Sequence, residues 1–157
     1  MLSGINVLAS RMALNAMMTL KALRAPVALG AHALIVDGDG KVLLARHSYM
    51  AGWSLPGGGV GRGEPPLAAL KRELREEIGT VDSSAPELIG VFSRPSGWAT
   101  NVVLLYRLSE ASVTFTPNVE VRQILFADPK SPPAGTAAGT RRRLAEFASK
   151  SSPALIW

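Results

Sequence analysis

Along the chain the spacing of apolar positions changes from one stretch to the next, and each change marks an element. Between residues 1 and 24, Ile5, Leu8, Met12, Leu20 and Leu23 recur at helical spacing with Ala9 and Ala16 between them, so an amphipathic helix is expected. Residues 27–36 are almost continuously apolar and read as a strand. Asp37, Gly38, Asp39 and Gly40 make a turn, residues 41–46 return as a second strand, and a hairpin is the natural reading. Residues 52–64, GWSLPGGGVGRGE, form a glycine-rich loop. The run from 65 to 78 has prolines in its first turn, where a missing N–H is tolerated, and Gly79 at the position that ends a helix. That gives a helix of about four turns. Its Leu67, Leu70, Leu74 and Ile78 share one face, which should pack on a sheet. Residues 87–92, 101–108 and 119–126 read as further strands, separated by the turn-rich SRPSGWAT and SEASVTFTPN. A proline, glycine and alanine loop follows at 129–140, and a closing helix at 141–149.

Length and composition fit this layout. At 157 residues and 47% hydrophobic content the chain holds one core of ordinary size, with no internal repeat. Residues 1–24 are therefore an N-terminal helical extension and residues 25–157 a single domain. The extension has no acidic residue and carries Arg11, Lys21 and Arg24. It lacks the layout of a secretory signal and is too short and too charged to span a bilayer. Packing against the domain or in a homodimer is one reading, and membrane-surface contact or targeting the other. The sequence contains no cysteine, which excludes disulfides and thiolate metal sites and leans toward the cytoplasm. Any metal must then be held by oxygen or by His32 and His47. The net charge of +5 favours anionic partners such as phosphates, nucleic acid or acidic lipid.

The chemistry is concentrated in Arg72–Gly79, RELREEIG. Glutamate is unwelcome near a helix C-terminus, where the dipole is negative, and Glu73 and Glu77 also repel each other at a spacing of four. On the helix, Glu73, Glu76 and Glu77 neighbour one another beside the leucine stripe, so their carboxylates converge. Three oxygen donors without a thiol suit a hard divalent cation, Mg2+ or Mn2+, and a bound cation would relieve the repulsion. A glutamate-rich helix is more often a solvated face, and the glycine loop ahead of it weighs against that bland reading.

Gly58, five residues to Glu64, and seven more to RELREEIG match a known pattern. The stretch resembles the signature of the Nudix hydrolases at every specified position but the last, where Thr80 replaces a bulky aliphatic. WSLPGGGV just before it is similar to the family's common approach to that signature. The resemblance implies an α/β (α+β) fold, a three-layer αβα sandwich with a mixed sheet, here with the additional N-terminal helix. It also implies hydrolysis of the diphosphate linkage in a nucleoside diphosphate joined to some group X, a nucleoside triphosphate or an ADP-ribose-like substrate. Glu73, Glu76 and Glu77 would be metal ligands, with the Gly57 carbonyl as an extra one, and Glu64 would pair with Arg72 to hold the loop on the helix. Glu76, Glu77 or the later Glu120 would accept the proton of the attacking water. Such chemistry is sensible on its own terms: metal ions neutralise a diphosphate and activate water, and glycines such as Gly58 let backbone approach an anion.

Other residues carry weaker signals. Arg46 and His47 end the second strand, where either could contact a substrate phosphate, and Arg72 is a further anion-binding candidate. Trp53 and Trp98 could line a pocket and stack on a base. His32, inside the apolar first strand, reads as a satisfied buried residue. Arg141, Arg142 and Arg143 read as an exposed helix face, and nucleic-acid contact there is disfavoured. Pro95 stands where ADP-ribose-hydrolysing relatives often have a proline. The competing class is a non-catalytic module of the same shape that binds a nucleotide or RNA intact.

Overall fold

The computed structural model describes residues 2–157, with the side chains of residues 2–9 and 80 outside that description. In chain order the elements are α1 (Leu2–Arg24), β1 (Val27–Ile35), β2 (Val42–His47), β3 (Gly57–Gly59), α2 (Pro66–Ile78), β4 (Thr80–Asp82), β5 (Glu87–Ser96), β6 (Ala99–Leu108), β7 (Ser112–Thr114), β8 (Val121–Ala127) and α3 (Ala138–Ser149).

Strands β3, β1, β6 and β5 form a four-stranded mixed sheet in that order, in which β1 runs parallel to β6 and antiparallel to β3. Strand β2 pairs instead with β8, and β4 with β7. Alternation along β1 splits the core in two. Ala31, Ala33 and Ile35 join Leu70, Leu74 and Ile78 of α2, while Leu34 and Val36 join Leu44, Leu55, Phe92 and Leu144 of α3. Both faces of the sheet are thus covered, which is why β1 reads as an unbroken apolar run. The result is the expected three-layer αβα sandwich with a mixed sheet.

Several sequence-based expectations need correction. The β1–β2 hairpin is reduced to one bridge, Val36 to Val42, above a turn closed by Asp37 and Lys41. Beyond it each strand is claimed by a longer partner, β6 or β8. SRPSGWAT is not a connecting loop, since β5 and β6 pair through Ser96 and Ala99 around Gly97 and Trp98. Pro95 is tolerated inside β5 because that strand lies at the sheet's edge. The strand expected from residue 119 begins at Val121, because the Asn118 carboxamide oxygen takes the N–H groups of Glu120 and Val121 into a turn. Leu67 is 36% exposed and is only a margin of the α2 stripe.

In α1, the apolar positions expected to share one face begin with Ile5 and Leu8, whose side chains lie outside the described residues. From residue 10 onward the helix is exposed, Met12, Leu20 and Leu23 together with Leu14, Met17 and Met18 from its other faces. Among the described residues no helix is long and apolar enough to cross a membrane.

Candidate active site

Helix α2 meets the glycine-rich loop along its last two turns. Arg72 is the joint. Its Nε and Nη2 donate to the two oxygens of Glu64 at 3.0 Å each, and Nη2 also donates to the Gly59 carbonyl at 3.1 Å. The Gly61 N–H adds a third bond to Glu64 at 2.8 Å. Together, Arg72 and then the Gly61 amide hold the Glu64 carboxyl below its usual range, and Glu64 with Glu73 holds the Arg72 guanidinium above its own.

The same guanidinium turns Nη1 toward the signature glutamates, donating to Glu73 at 2.7 Å and to Glu76 at 3.3 Å. Two carboxylates therefore converge on one cationic group. This is what offsets much of the repulsion at the helix end. Asn118 supplies the rest by donating from Nδ2 to the carbonyls of Glu76 and Glu77, at 3.2 and 2.9 Å, where the helix leaves acceptors unpaired.

Glu77 takes a different course. It is 2% exposed, with one oxygen 2.7 Å from His47 Nε2 and the other accepting the Gly57 N–H at 2.8 Å. His47 Nδ1 lies 3.1 Å from the half-buried Ser54 hydroxyl, which completes a Ser54–His47–Glu77 chain. Hence the three glutamates do not form one surface cluster, as helical spacing alone suggested. Leu70, Leu74 and Glu77 stand at i, i+4 and i+7, so Glu77 belongs to the buried stripe and needs a polar partner there.

The glycines explain how the loop comes so near. Gly57 has φ 126°, and a Cβ there would strike the Ala31 carbonyl. At Gly58 a Cβ would lie 2.5 Å from the Glu73 carboxyl. Backbone approach to an anion is thus realised first toward the protein's own carboxylates.

As a donor set, Glu73, Glu76, Glu77 and the Gly57 carbonyl have the hardness Mg2+ or Mn2+ requires. Arg72 Nη1, shared by Glu73 and Glu76, marks a point at which positive charge is already stabilised. The residues fit a divalent cation on these grounds. In the present side-chain arrangement, no three His, Asp or Glu side chains among the described residues are grouped as a metal site. Glu77 would have to exchange His47 or Gly57 to join one.

Glu120 sits in an exposed loop bound at both ends: Asn118 ties it to α2, and the Ser48 N–H donates to the Glu120 carbonyl at 2.8 Å. Tyr49 reports on the same region. Although 70% exposed, it has its phenol held above the usual range by partial desolvation and then by the negative fields of Glu77, Glu120 and Glu73. Arg46 lies on the outer side of the β2–β8 pair, with Nη1 3.4 Å from Gln123, and a register shift between Arg46 and His47 turns only the histidine inward. Trp53 packs on the α3-side core and bridges to Thr136, and Trp98 is 82% exposed at a hairpin tip.

A cavity of about 320 Å³ opens beside the glycine loop, lined by Gly57, Gly58, His32, Tyr49, Asn101 and Trp157 among others. Neither Arg46 nor Trp53 lines it. His32 Nδ1 donates to the Leu55 carbonyl at 3.4 Å, and burial lowers its pKa. Tyr49, Ser54, Asn118 and Trp157 were missed by sequence reasoning. Only Asn118, in a turn-forming PN dipeptide, carried a local signal.

Comparison with known proteins adds the following. The model of the NUDIX domain matches residues 26–146. An RNA pyrophosphohydrolase of Acinetobacter baylyi is 37% identical over 75 residues, 48% of this chain and 40% of the relative. An RNA pyrophosphohydrolase of Halorhodospira halophila is 40% identical over 75 residues, 48% of this chain and 36% of the relative. This chain therefore spans well under half the length of these curated relatives in the matched region. Among solved structures, a MutT NUDIX hydrolase from Burkholderia pseudomallei superposes with a TM-score of 0.66 at 25% identity, covering 76% of this chain and 96% of its own.

Proposed function

The chain belongs to the Nudix family, and from that premise we propose that it is a phosphohydrolase dependent on Mg2+ or Mn2+ that cleaves the diphosphate linkage of a nucleoside diphosphate joined to a group X. The observation that carries this reading is the convergence of Glu73 and Glu76 on one cationic group, Arg72 Nη1, beside the buried Glu77 and a backbone of three glycines. When bound, the cation supplies charge neutralisation of the diphosphate and a lowered pKa for water.

The chain's own residues do the remaining work. Glu73, Glu76 and Glu77 would hold the cation, Glu77 after exchanging His47 or Gly57, with the Gly57 carbonyl as an extra donor. Gly58 keeps the loop free of side chains where the diphosphate lies. Arg72 and Glu64 fix the loop on the helix, so the donors keep their spacing without the ion. Glu120, on a loop pinned to the end of α2, is the candidate base for the attacking water, and Glu76 and Glu77 are the others. The cavity next to the loop accepts the nucleoside end.

X is a phosphate, as in a nucleoside triphosphate, or an ADP-ribose-like sugar phosphate. The curated relatives' description as RNA pyrophosphohydrolases supports adding the 5′-triphosphate end of RNA as a third candidate, in keeping with the net charge of +5. The test is a panel of nucleoside triphosphates, ADP-ribose and 5′-triphosphorylated RNA with Mg2+ or Mn2+, with the released product identified. Release of a monophosphate or of pyrophosphate supports the reading. Ligands bound tightly but recovered intact after prolonged incubation with metal would replace it with the non-catalytic binding module.

A further inference from the structure

The C-terminal strap has no role in the site described so far, yet it is heavily anchored. Residues 154–157 run along the free edge of β5. Ser93 donates its N–H to the Leu155 carbonyl at 3.2 Å and accepts the Trp157 N–H at 3.1 Å. From the other side α3 grips the same segment. Arg143 donates to the carbonyls of Ala154 and Ile156 at 3.2 Å each, Arg142 donates to Ile156 at 3.1 Å, and the Ala154 N–H donates to Glu146 at 3.0 Å. Arg143 itself is 2% exposed, stacks 4.0 Å over the Phe92 ring and donates to Glu146 at 2.9 Å.

This anchoring does not serve to bury the strap's own aliphatic side chains. Leu155 is 82% exposed and Ile156 61%. The one large strap side chain directed inward is Trp157. Its indole stands 5.6 Å from the His32 ring and 5.7 Å from Phe92, and it lines the same cavity as Gly57, Gly58 and Gly59. A Cβ on Gly139 would lie 2.7 Å from the indole nitrogen, so the start of α3 is cut back to admit the ring. Trp157 packs against the α3-side core and is half-buried, and it also lines the cavity.

We propose that Trp157, delivered by this strap, is the stacking surface for the nucleobase and thereby a specificity-determining residue. The inference rests on the reading of the chain as a hydrolase of nucleoside diphosphate derivatives and names which residues meet which part of the substrate. The diphosphate lies at the glycine loop beside Glu73 and Glu77. The base lies against the Trp157 indole in the same cavity. Among the described residues no lysine or arginine lines the cavity, and an indole beside an imidazole suits a neutral aromatic ring better than a phosphate. Base stacking on an aromatic side chain tolerates any base but favours those with larger rings.

Tryptophan fluorescence of the full chain separates this inference from the reading it rests on. ADP, GDP and UDP are titrated against the unsubstituted chain and against Trp157→Phe, with inorganic tripolyphosphate as the probe that lacks a base. The expected result is quenching by the nucleotides, strongest for the purines, that is lost in Trp157→Phe, and none with tripolyphosphate. In hydrolysis, Trp157→Ala should raise KM for nucleotide substrates about tenfold with kcat within about twofold, and Trp157→Phe should restore most of the loss. Quenching that is equal with tripolyphosphate, or that survives in Trp157→Phe, overturns the inference even if the chain is an active hydrolase. Nucleotide-specific quenching in a chain that hydrolyses nothing sustains the stacking role and refutes the proposed reaction instead.

Discussion

Two arginines organise this molecule, and they do so in opposite environments. Arg72 is 38% exposed and has three carboxylates around it, Glu64, Glu73 and Glu76. The Arg143 side chain is 1% exposed, has one carboxylate, Glu146, and spends its other bonds on the backbone of the strap. Its Nε is buried without a hydrogen-bond partner among the described residues. Exposed ion pairs contribute little to stability because water and salt screen them, while breaking a buried one leaves a charge stranded. The contrast assigns different duties. Arg72 holds reactive groups in register, so its loss should appear in rate. Arg143 holds a segment of chain in place, so its loss should appear in folding.

The largest expected effect lies on the Arg72 side. Glu77→Gln keeps the size of the buried side chain but removes the charge that would hold a cation. We expect kcat to fall by about a thousandfold or more, equivalent to roughly 4 kcal/mol of barrier. The thermal midpoint should change little, because glutamine can still accept from His47 or Gly57. Steady-state rates and a melting curve on the same preparation check this. An unchanged rate would remove Glu77 from the chemistry.

Next comes the buried clamp. Arg143→Ala strands the partly buried Glu146, frees the strap carbonyls and uncovers Phe92, and it should cost about 3–5 kcal/mol in urea unfolding. Arg143→Met, which keeps the bulk over Phe92, should recover only the packing share of that loss, since Glu146 and the strap carbonyls still lack their donor. The rate per folded molecule on a substrate without a base, such as tripolyphosphate, should stay near that of the unsubstituted chain. A large fall in that rate would erase the division of duties between the two arginines.

That division also governs what could be read from sequence. The Arg72 network was legible because its members, Glu64, Arg72, Glu73 and Glu76, stand at fixed spacing on one loop and one helix, and the Glu64–Arg72 pair was expected. Layer order and most strands were legible for a similar reason, as local periodicity. Arg143 was read as part of an exposed face. Its partners are backbone carbonyls, which leave no trace in residue type, and they belong to SSPALIW, which has no helical or strand period. The His47–Glu77 pair joins positions thirty residues apart, so only the placement of Glu77 on the leucine stripe hinted at it. The β1–β2 hairpin failed because a good turn does not decide which longer partners the strands find.

A smaller effect should follow Arg72→Lys. Lysine keeps the charge but cannot bridge Glu64 and Glu73 with a planar fork. Groups that orient metal ligands typically account for ten- to a hundredfold in affinity or rate. We expect the concentration of Mg2+ giving half-maximal rate to rise by about tenfold or more, with folding nearly unaffected. Equal loss of stability would mean that Arg72 is a structural clamp like Arg143.

The smallest effect distinguishes the outer half of the Arg72 network from the inner. Glu64 touches Arg72 and the Gly61 amide but neither Glu73 nor Glu76. Its carboxyl titrates below the usual range because Arg72, then Gly61, favours the charged form. A depressed folded value means that its contribution is present above the ordinary carboxylate pKa and is lost as pH falls through the depressed one. Half-buried in a surface loop, it adds little to global stability, and the effect belongs instead to the loop. As pH falls through that depressed value, below the ordinary carboxylate range, the protonated Glu64 releases Arg72 from one side, and the half-maximal Mg2+ concentration should rise along that limb. Glu64→Gln should show the raised requirement, about threefold to tenfold, already at neutral pH, with its acid limb flattened. If the substitution instead leaves the acid limb unchanged, the titrating group is one of the signature glutamates, and Glu64 serves only to shape the loop.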